Sequence, residues 1–342
     1  MLAAVLHGAR DLRVEELEKP KVCPNDVLIA VKACGVCMTD LHMFTWEFPV
    51  KTPVILGHEF SGEVVEVGGE VRDIRAGERV AVDPVLSCGV CSECVSGRDN
   101  LCKRITSIGG AGNFIKNGAF AEYALVPQQA IGKIPDVLSF DQAAFVEPLG
   151  CCIHGLDKSG VKHGETVVLI GAGPIGLLLL QLTRLAGAST IIVSDLKDDR
   201  LDFAKKLGAD EVVNPLHGGL SERVMDLTQG QGADVVIECV GSPLTVKEAV
   251  EIVKRGGRVT IFGVPPVDSK VDLSPFDIYF REKELVGVYA ITRDSFRRSI
   301  SMLASGRVRV DPLITEHFQL TNVGSAFTMM EKREGLKKII SP

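Results

Sequence analysis

No segment of this 342-residue chain is apolar for long enough to cross a bilayer. The longest apolar run, Val167 to Leu180, is 14 residues long and is broken by Gly171, Gly173, Pro174 and Gly176. A spanning helix needs about 20 apolar residues in succession. A basic surplus is also missing. Thirty-eight Lys and Arg stand against 44 Asp and Glu, a formal net charge of −6, which argues against a nucleic-acid-binding surface. Met1 to His7 has neither the basic start nor the apolar length of a secretory signal, so the expected location is cytoplasmic. Low-complexity tracts, long charge runs and internal repeats are absent. What remains is 46% hydrophobic and 24% charged, ordinary for a soluble globular enzyme. The length fits two domains at roughly 150 residues each.

Cysteine, by contrast, is plentiful. There are ten, and a reducing compartment disfavours structural disulfides. Cys88, Cys91, Cys94 and Cys102 crowd together, and Cys37 stands ahead of the pair His58-Glu59. Cys23, Cys34, Cys151, Cys152 and Cys239 lie in apolar contexts and are expected to pack as small hydrophobes.

The first 130 residues read as short strands: Val27 to Ala33, Gly62 to Val67, Arg79 to Val82 and Phe120 to Val126. Gly and Pro punctuate them closely, which favours a barrel-like β domain. From about Pro148 strands and helices alternate. Thr166 to Ile170 is strand-like, Ile175 to Leu185 helical, Ile191 to Ser194 a strand, and Asp198 to Leu207 helical; Asp234 to Cys239 and Val259 to Gly263 continue the series. Apolar strands alternating with helices predict an α/β domain with a parallel sheet covered on both faces. The tail from about Tyr289 to Pro342 leaves this rhythm and is expected to rejoin the first domain.

Gly171-Ala172-Gly173-Pro174-Ile175-Gly176 reads G-x-G-x-x-G between a predicted strand and a predicted helix, the context a dinucleotide-binding turn requires. The first glycine permits the turn, the second admits a pyrophosphate, and the third lets helix and strand pack closely. The helix N-terminus adds free N–H groups for phosphate. Asp195 stands at the end of the next predicted strand, where a carboxylate would bond the adenosine ribose and repel a 2′-phosphate. NAD is therefore favoured, with Lys197 and Arg200 leaving room for NADP. Arg200, Val240 and Val264 complete the candidate cofactor residues. An ordinary βα turn with a surface Asp is the competing reading.

Cys88-x2-Cys91-x2-Cys94-x7-Cys102 offers four thiolates on one lobe, with Gly89 and Gly97 to turn it. Four soft ligands suit a closed, tetrahedral structural zinc site. An iron–sulfur cluster is the rival, but the ferredoxin run places its last Cys after x3 and follows it with Pro, whereas here the spacing is x7 and Lys103 follows. Cys37, His58 and a carboxylate, Glu59 or Glu147, make a second candidate zinc site with a position left open.

Six motifs now stand in one order: GVCMTDLH, GHEFSGEVVEVG, CGVCSECVSGRDNLC, GAFAEY, EPLGCCIHG and GAGPIGLL. In them the chain resembles the zinc-dependent medium-chain dehydrogenases, on the branch holding sorbitol (polyol), threonine and butanediol dehydrogenases. The resemblance covers nearly the whole chain. It implies a GroES-like β-barrel catalytic domain from residues 1–147 and 289–342, with a structural-zinc lobe at 88–102. A Rossmann NAD-binding domain would occupy residues 148–288, and the assembly would be a homodimer or homotetramer. It also implies that Cys37 and His58 bind catalytic zinc, that Glu59 completes the site directly or through water, and that Glu147 is a second acid at the metal. Cys88, Cys91, Cys94 and Cys102 would hold structural zinc, and Thr39 and His42 would relay the proton.

On this reading the catalytic zinc lowers the pKa of a coordinated hydroxyl from roughly 16 to about 7, and hydride passes to NAD. Thr39 and His42, three apart, would share a helical face, and an imidazole titrates near neutrality. The expected proton path runs through the nicotinamide ribose; a helix-capping Thr39 and a surface His42 are the plainer reading. Phe44, Trp46 and Phe48 could wall the substrate cleft or belong to the core. The chain departs from sorbitol dehydrogenases, which carry Arg-Tyr after the last Rossmann strand, because Val288-Tyr289-Ala290-Ile291-Thr292 stands there with Arg293 beyond. Polyols, diols and hydroxy amino acids stay open as small polar substrates, L-threonine among them. A zinc-binding nucleic-acid module has the wrong charge and leaves Cys37 and His58 unused. A non-catalytic NAD- and zinc-binding protein of the same fold would need neither residue.

Overall fold

The structure, a computed structural model, describes residues 1–112 and 114–342. It divides into two compact units, Met1–Cys151 with Ala290–Pro342, and Cys152–Tyr289.

The first unit is built on a seven-stranded sheet. Its central strand, Asp26–Gly35, is buried on both faces, with Val27, Ile29 and Val31 on one and Leu28 on the other, and only Lys32 exposed. That strand pairs antiparallel with Glu59–Val67, which continues through Arg79–Val82 to Ile131–Lys133. It also pairs with Tyr123–Pro127 and with the C-terminal strand Lys337–Ser341, beyond which lies Ile314–Gln319. The register matters for the site. Gly35 is opposite Glu59 on one side and Ile339 on the other, so the start of the last strand is carried to the first residue of the Glu59 strand. A Cβ on Gly35 would sit 2.3 Å from Glu59 Oε2, so only glycine admits the Glu59 carboxylate here.

Phe60, Phe120, Phe327 and Met43 lie in the core of this unit. Phe44, Trp46 and Phe48 pack against that core, and Phe44 meets Phe327 at 5.1 Å between ring centres. The strand expected over Phe120 to Val126 is shorter, Tyr123–Pro127. Ala119 and Phe120 instead donate to Gly57 O and Leu56 O at 2.8 and 2.9 Å.

The second unit holds six parallel strands. Across the sheet they run Glu211–Val213, Thr190–Ser194, Thr166–Ile170, Ala233–Glu238, Val253–Ile261 and Glu284–Gly287. This is the 3-2-1-4-5-6 order of a doubly wound dinucleotide fold. The helix Pro174–Leu185 is buried over the eight successive residues Gly176 to Thr183, as a predominantly apolar helix must be. Val168, Ile192, Val236 and Val259 of neighbouring strands share one core cluster.

All ten cysteines are free thiols. Cys34 and Cys152 are buried, and Cys151 and Cys239 partly so, but Cys23 is exposed. The expectation of a core role fails for Cys23 because it opens the surface turn closed by Asp26 N to Cys23 O at 3.0 Å. Among the described residues no helix is long and apolar enough to cross a membrane.

Candidate metal centres and nucleotide turn

Cys37 immediately precedes the helix Met38–Phe44, and His58 and Glu59 lie where the strand Glu59–Val67 begins. Their ligand atoms all lie within 4.8 Å of one another. Glu147 stands outside this cluster, in the first turn of the helix Val146–Ser159, and accepts from Cys151 Sγ at 3.3 Å. Burial raises the pKa of Glu147, the neighbouring His58 charge lowers it and Glu59 raises it again, so its carboxyl feels the same centre.

Asp40, which sequence reasoning passed over, ties the centre together. It is fully buried. Its Oδ2 accepts from Cys37 N at 2.8 Å, and its Oδ1 accepts from Gly57 N at 3.3 Å. Oδ1 also stands 3.3 Å from His58 Nδ1. One carboxylate thus touches both ligand-bearing segments. Its spacing of three from Cys37, an N-cap with an acid at N3, was the available signal. Burial disfavours a charged His58, yet Asp40 and Cys37 outweigh it and hold the imidazole's pKa well above its usual value. A thiol, an imidazole and a carboxylate gathered within 4.8 Å, with the Asp40 carboxylate behind the imidazole, form a donor set that a cation fits.

Lys337 was also missed. Its ammonium is buried, 2.5 Å from Glu59 Oε2 and 3.3 Å from Val36 O. Burial lowers its pKa, but Glu59 and Cys37 more than compensate and raise it above the usual lysine value. A buried carboxylate needs a cation or several hydrogen-bond donors to offset its lost hydration; Lys337-Lys338 ahead of Ile339-Ile340 was the only trace in sequence.

Thr39 and His42 lie on the helix Met38–Phe44. The N-cap is Cys37, so Thr39 does not cap this helix. His42 Nδ1 is 2.6 Å from Glu47 Oε2, and its ring centre is 5.0 Å from that of Phe48.

Cys88, Cys91, Cys94 and Cys102 also bring their sulfurs within 4.8 Å of one another. Cys91 and Cys94 Sγ are 3.4 Å apart, and Cys88 and Cys94 Sγ 3.8 Å. A tetrahedron with zinc–sulfur bonds of about 2.3 Å has edges of about 3.8 Å, so the set fits zinc. Gly89 and Gly97, at φ +75° and +77°, turn the lobe back on itself. The backbone amides of Val90 and Cys91 pull the Cys88 thiol down to about 5, while burial and the neighbouring thiols push Cys94 up to about 11.

In the second unit, Gly171 adopts φ +108°, and a Cβ on Gly176 would lie 1.9 Å from Gly171 O. A Cβ on Gly173 would meet only Arg200 Nη1, at 3.9 Å. Gly173 caps the helix Pro174–Leu185 without a side-chain bond. Open space over that glycine, and amides without a side-chain cap, fit a pyrophosphate; Ile175 lies in the first turn beneath it. Asp195 Oδ2 accepts from Ala172 N at 2.8 Å and Oδ1 from Lys197 N at 3.0 Å, with Arg200 Nη1 3.9 Å away. Val240 and Val264 are 45% and 53% exposed just beyond their strands.

Two family descriptions match the chain: an alcohol dehydrogenase GroES-like domain over residues 23–136 and a zinc-binding dehydrogenase over residues 174–305. Sorbitol dehydrogenase of Bacillus subtilis (strain 168) is 35% identical, covering 100% of this chain and 97% of its own length. L-Threonine 3-dehydrogenase of Paraburkholderia phytofirmans is 33% identical over 98% of this chain and 97% of its own. A zinc-binding dehydrogenase of Sinorhizobium meliloti 1021, solved bound to NADP, superposes with a TM-score of 0.95 at 40% identity, covering 100% and 99% of the two chains. With a GroES-like unit, a doubly wound parallel sheet and full-length likeness to these proteins, the chain belongs to the zinc-dependent medium-chain dehydrogenases of the polyol and threonine branch.

Proposed function

We propose that the chain is an NAD-dependent dehydrogenase that oxidises a secondary alcohol of a small polyol, diol or hydroxy amino acid to the ketone. The observation that carries this reading is the gathering of Cys37, His58 and Glu59 within 4.8 Å in a chain that also holds a dinucleotide turn. Residues 1–147 and 289–342 then form the catalytic domain, and residues 148–288 the NAD-binding domain. A zinc held there would supply Lewis acidity toward the substrate hydroxyl, and a nicotinamide bound to the second unit would supply the hydride acceptor. Cys37 and His58 grip the metal, and Asp40 orients the imidazole. Lys337 holds the Glu59 carboxylate, and Glu147 adds a second acid. The two acids make polar surroundings that favour polyhydroxylated substrates over long apolar alcohols. Thr39 Oγ1 would accept the substrate's hydroxyl proton while giving up its own, which would pass by way of the nicotinamide ribose hydroxyls to His42, in contact with Glu47, and on to solvent.

Asp195 selects NAD. A second reading, use of NADP, is favoured by Arg200 and Lys197 beside Asp195 and by the NADP in the S. meliloti relative. We assign the protein to the cytoplasm as a homodimer or homotetramer. Association is supported by the edge strand Glu284–Gly287 and the adjoining helix Pro275–Phe280, which exposes Phe276, Tyr279 and Phe280 by 69%, 79% and 57%.

The test is a substrate screen that follows NADH absorbance over polyols, diols and L-threonine, repeated with NADP. The reading predicts turnover of at least one secondary alcohol, faster with NAD. Protein carrying two zincs per chain that oxidises none of them would overturn it.

A further inference from the structure

Glu238 ends the strand Ala233–Glu238 and is fully buried. Among the described residues no Lys or Arg pairs with it. Its carboxylate instead collects three donors. Oε1 accepts from Val240 N at 2.8 Å, Gly241 N at 2.9 Å and Thr245 Oγ1 at 2.8 Å, and Oε2 lies 3.2 Å from Gly241 N. Its backbone oxygen accepts from Phe262 N at 2.9 Å and Gly263 N at 2.8 Å. One residue therefore binds both loops that leave the strands Ala233–Glu238 and Val253–Ile261. These loops touch through backbone: a Cβ on Gly263 would lie 2.1 Å from Gly241 N, and one on Gly241 2.4 Å from Val264 O. The first loop also reaches the glycine turn, since a Cβ on Gly171 would lie 3.0 Å from Val240 Cγ2.

Topology says which part of a dinucleotide these loops face. Asp195, the ribose-binding candidate, follows the strand Thr190–Ser194, and the glycine turn follows Thr166–Ile170. The strand Ala233–Glu238 lies on the opposite side of Thr166–Ile170 from Thr190–Ser194. A ligand laid across the carboxyl ends of the strands, with adenosine at Asp195 and pyrophosphate at the turn, brings its other half over residues 239–241 and 262–264.

We propose that Glu238 is a positioning residue for the nicotinamide half of the cofactor, holding Val240 and Val264 in place through the amides of residues 240 and 241. The proposal rests on the reading of the second unit as an NAD site. A buried carboxylate facing amides and a hydroxyl, with no cation, stores its binding in loop geometry. Removing it leaves two buried amides without an acceptor.

The test compares two probes on the zinc-loaded full chain: NADH, which has both halves, and ADP-ribose, which lacks the nicotinamide. Glu238→Ala is expected to weaken NADH by about tenfold or more, the loss of charge-assisted hydrogen bonds, while ADP-ribose binds within about twofold of wild type. Glu238→Gln keeps one acceptor oxygen and should recover most of the NADH affinity. Thr245→Val, which leaves the carboxylate in place, should show a smaller loss of the same kind. Hydrogen exchange should rise at residues 239–242 and 262–264 in Glu238→Ala and much less in Glu238→Gln. If Glu238→Ala weakens both probes equally, or neither, the proposal is wrong. If Glu238→Ala does not fold, unchanged NADH binding in Thr245→Val, or a Glu238→Gln variant that weakens NADH and ADP-ribose equally, overturns it. Wild-type protein that binds neither probe overturns the NAD reading instead, so the two failures are separable.

Discussion

Replacing Asp40 by Asn changes one charge and little volume, and the structure says where the effect must fall. Asp40 meets Cys37 N at 2.8 Å, Gly57 N at 3.3 Å and His58 Nδ1 at 3.3 Å. Asparagine has a single acceptor oxygen, so one of the two amides would face an NH2 group, donor against donor. The imidazole would also lose the anion that orients it. Groups that orient a metal-binding histidine typically contribute 10- to 100-fold in metal affinity, or about 1.4–2.7 kcal/mol. The assay is zinc retained per chain after dialysis against graded chelator. The four-cysteine lobe shares no residue with Asp40 and serves as an internal reference. In Asp40→Asn the first zinc should leave at roughly 10- to 100-fold lower free chelator activity, with turnover lost in step. The second zinc should leave as in wild type. Identical chelator midpoints for both zincs, with full activity, would refute the role given to Asp40.

Three further outcomes are expected. Thr39→Val should slow turnover at neutral pH while NADH binds as before; unchanged steady-state rates would remove Thr39 from the proton path. Asp195→Ser should lower kcat/KM for NAD by roughly 10- to 100-fold, the loss of charge-assisted bonds, and improve NADP; an unchanged NAD/NADP ratio would contradict the assignment. Asp83 gives a pH effect. Burial, with Glu147 and Asp99 nearby, pushes its carboxyl from 3.8 up to about 7, against the opposing pull of Val85 N and Arg293. The folded state therefore holds this proton more tightly than the unfolded chain, and stability falls as pH rises from about 4 to about 7, by an amount on the order of 4 kcal/mol. Asp83→Asn, which can still accept from Val85 N, should leave the protein more stable relative to wild type at pH 8 than at pH 5. Parallel melting curves across that range would dispose of the effect.

The alternating unit was legible because each element carries a local signal. Thr166–Ile170 carries its apolar residues Val167 to Ile170 up to the glycine turn, and Pro174, the first residue of its helix, marks that start. The four-cysteine lobe was legible for the same reason: its ligands and its two positive-φ glycines lie within one short segment. Asp40 and Lys337 were not. Their significance depends on long-range register, which sets Lys337 beside Glu59 across 278 positions of chain. Glu238 is similar: a strand ending in an acid looks like a surface turn until the donors of two loops are seen converging on it. Phe44, Trp46 and Phe48 were ambiguous because spacing alone does not say what lies opposite, and a ring such as Phe327 comes from far along the chain.

The central claim is that Cys37 and His58 jointly hold a metal that turnover requires. Zinc analysis of wild type, Cys37→Ala and His58→Ala, each paired with a turnover assay, tests it most directly. The account predicts two zincs per chain in wild type and one in each variant, with activity abolished and the four-cysteine zinc intact. Two zincs and undiminished turnover in either variant would contradict it.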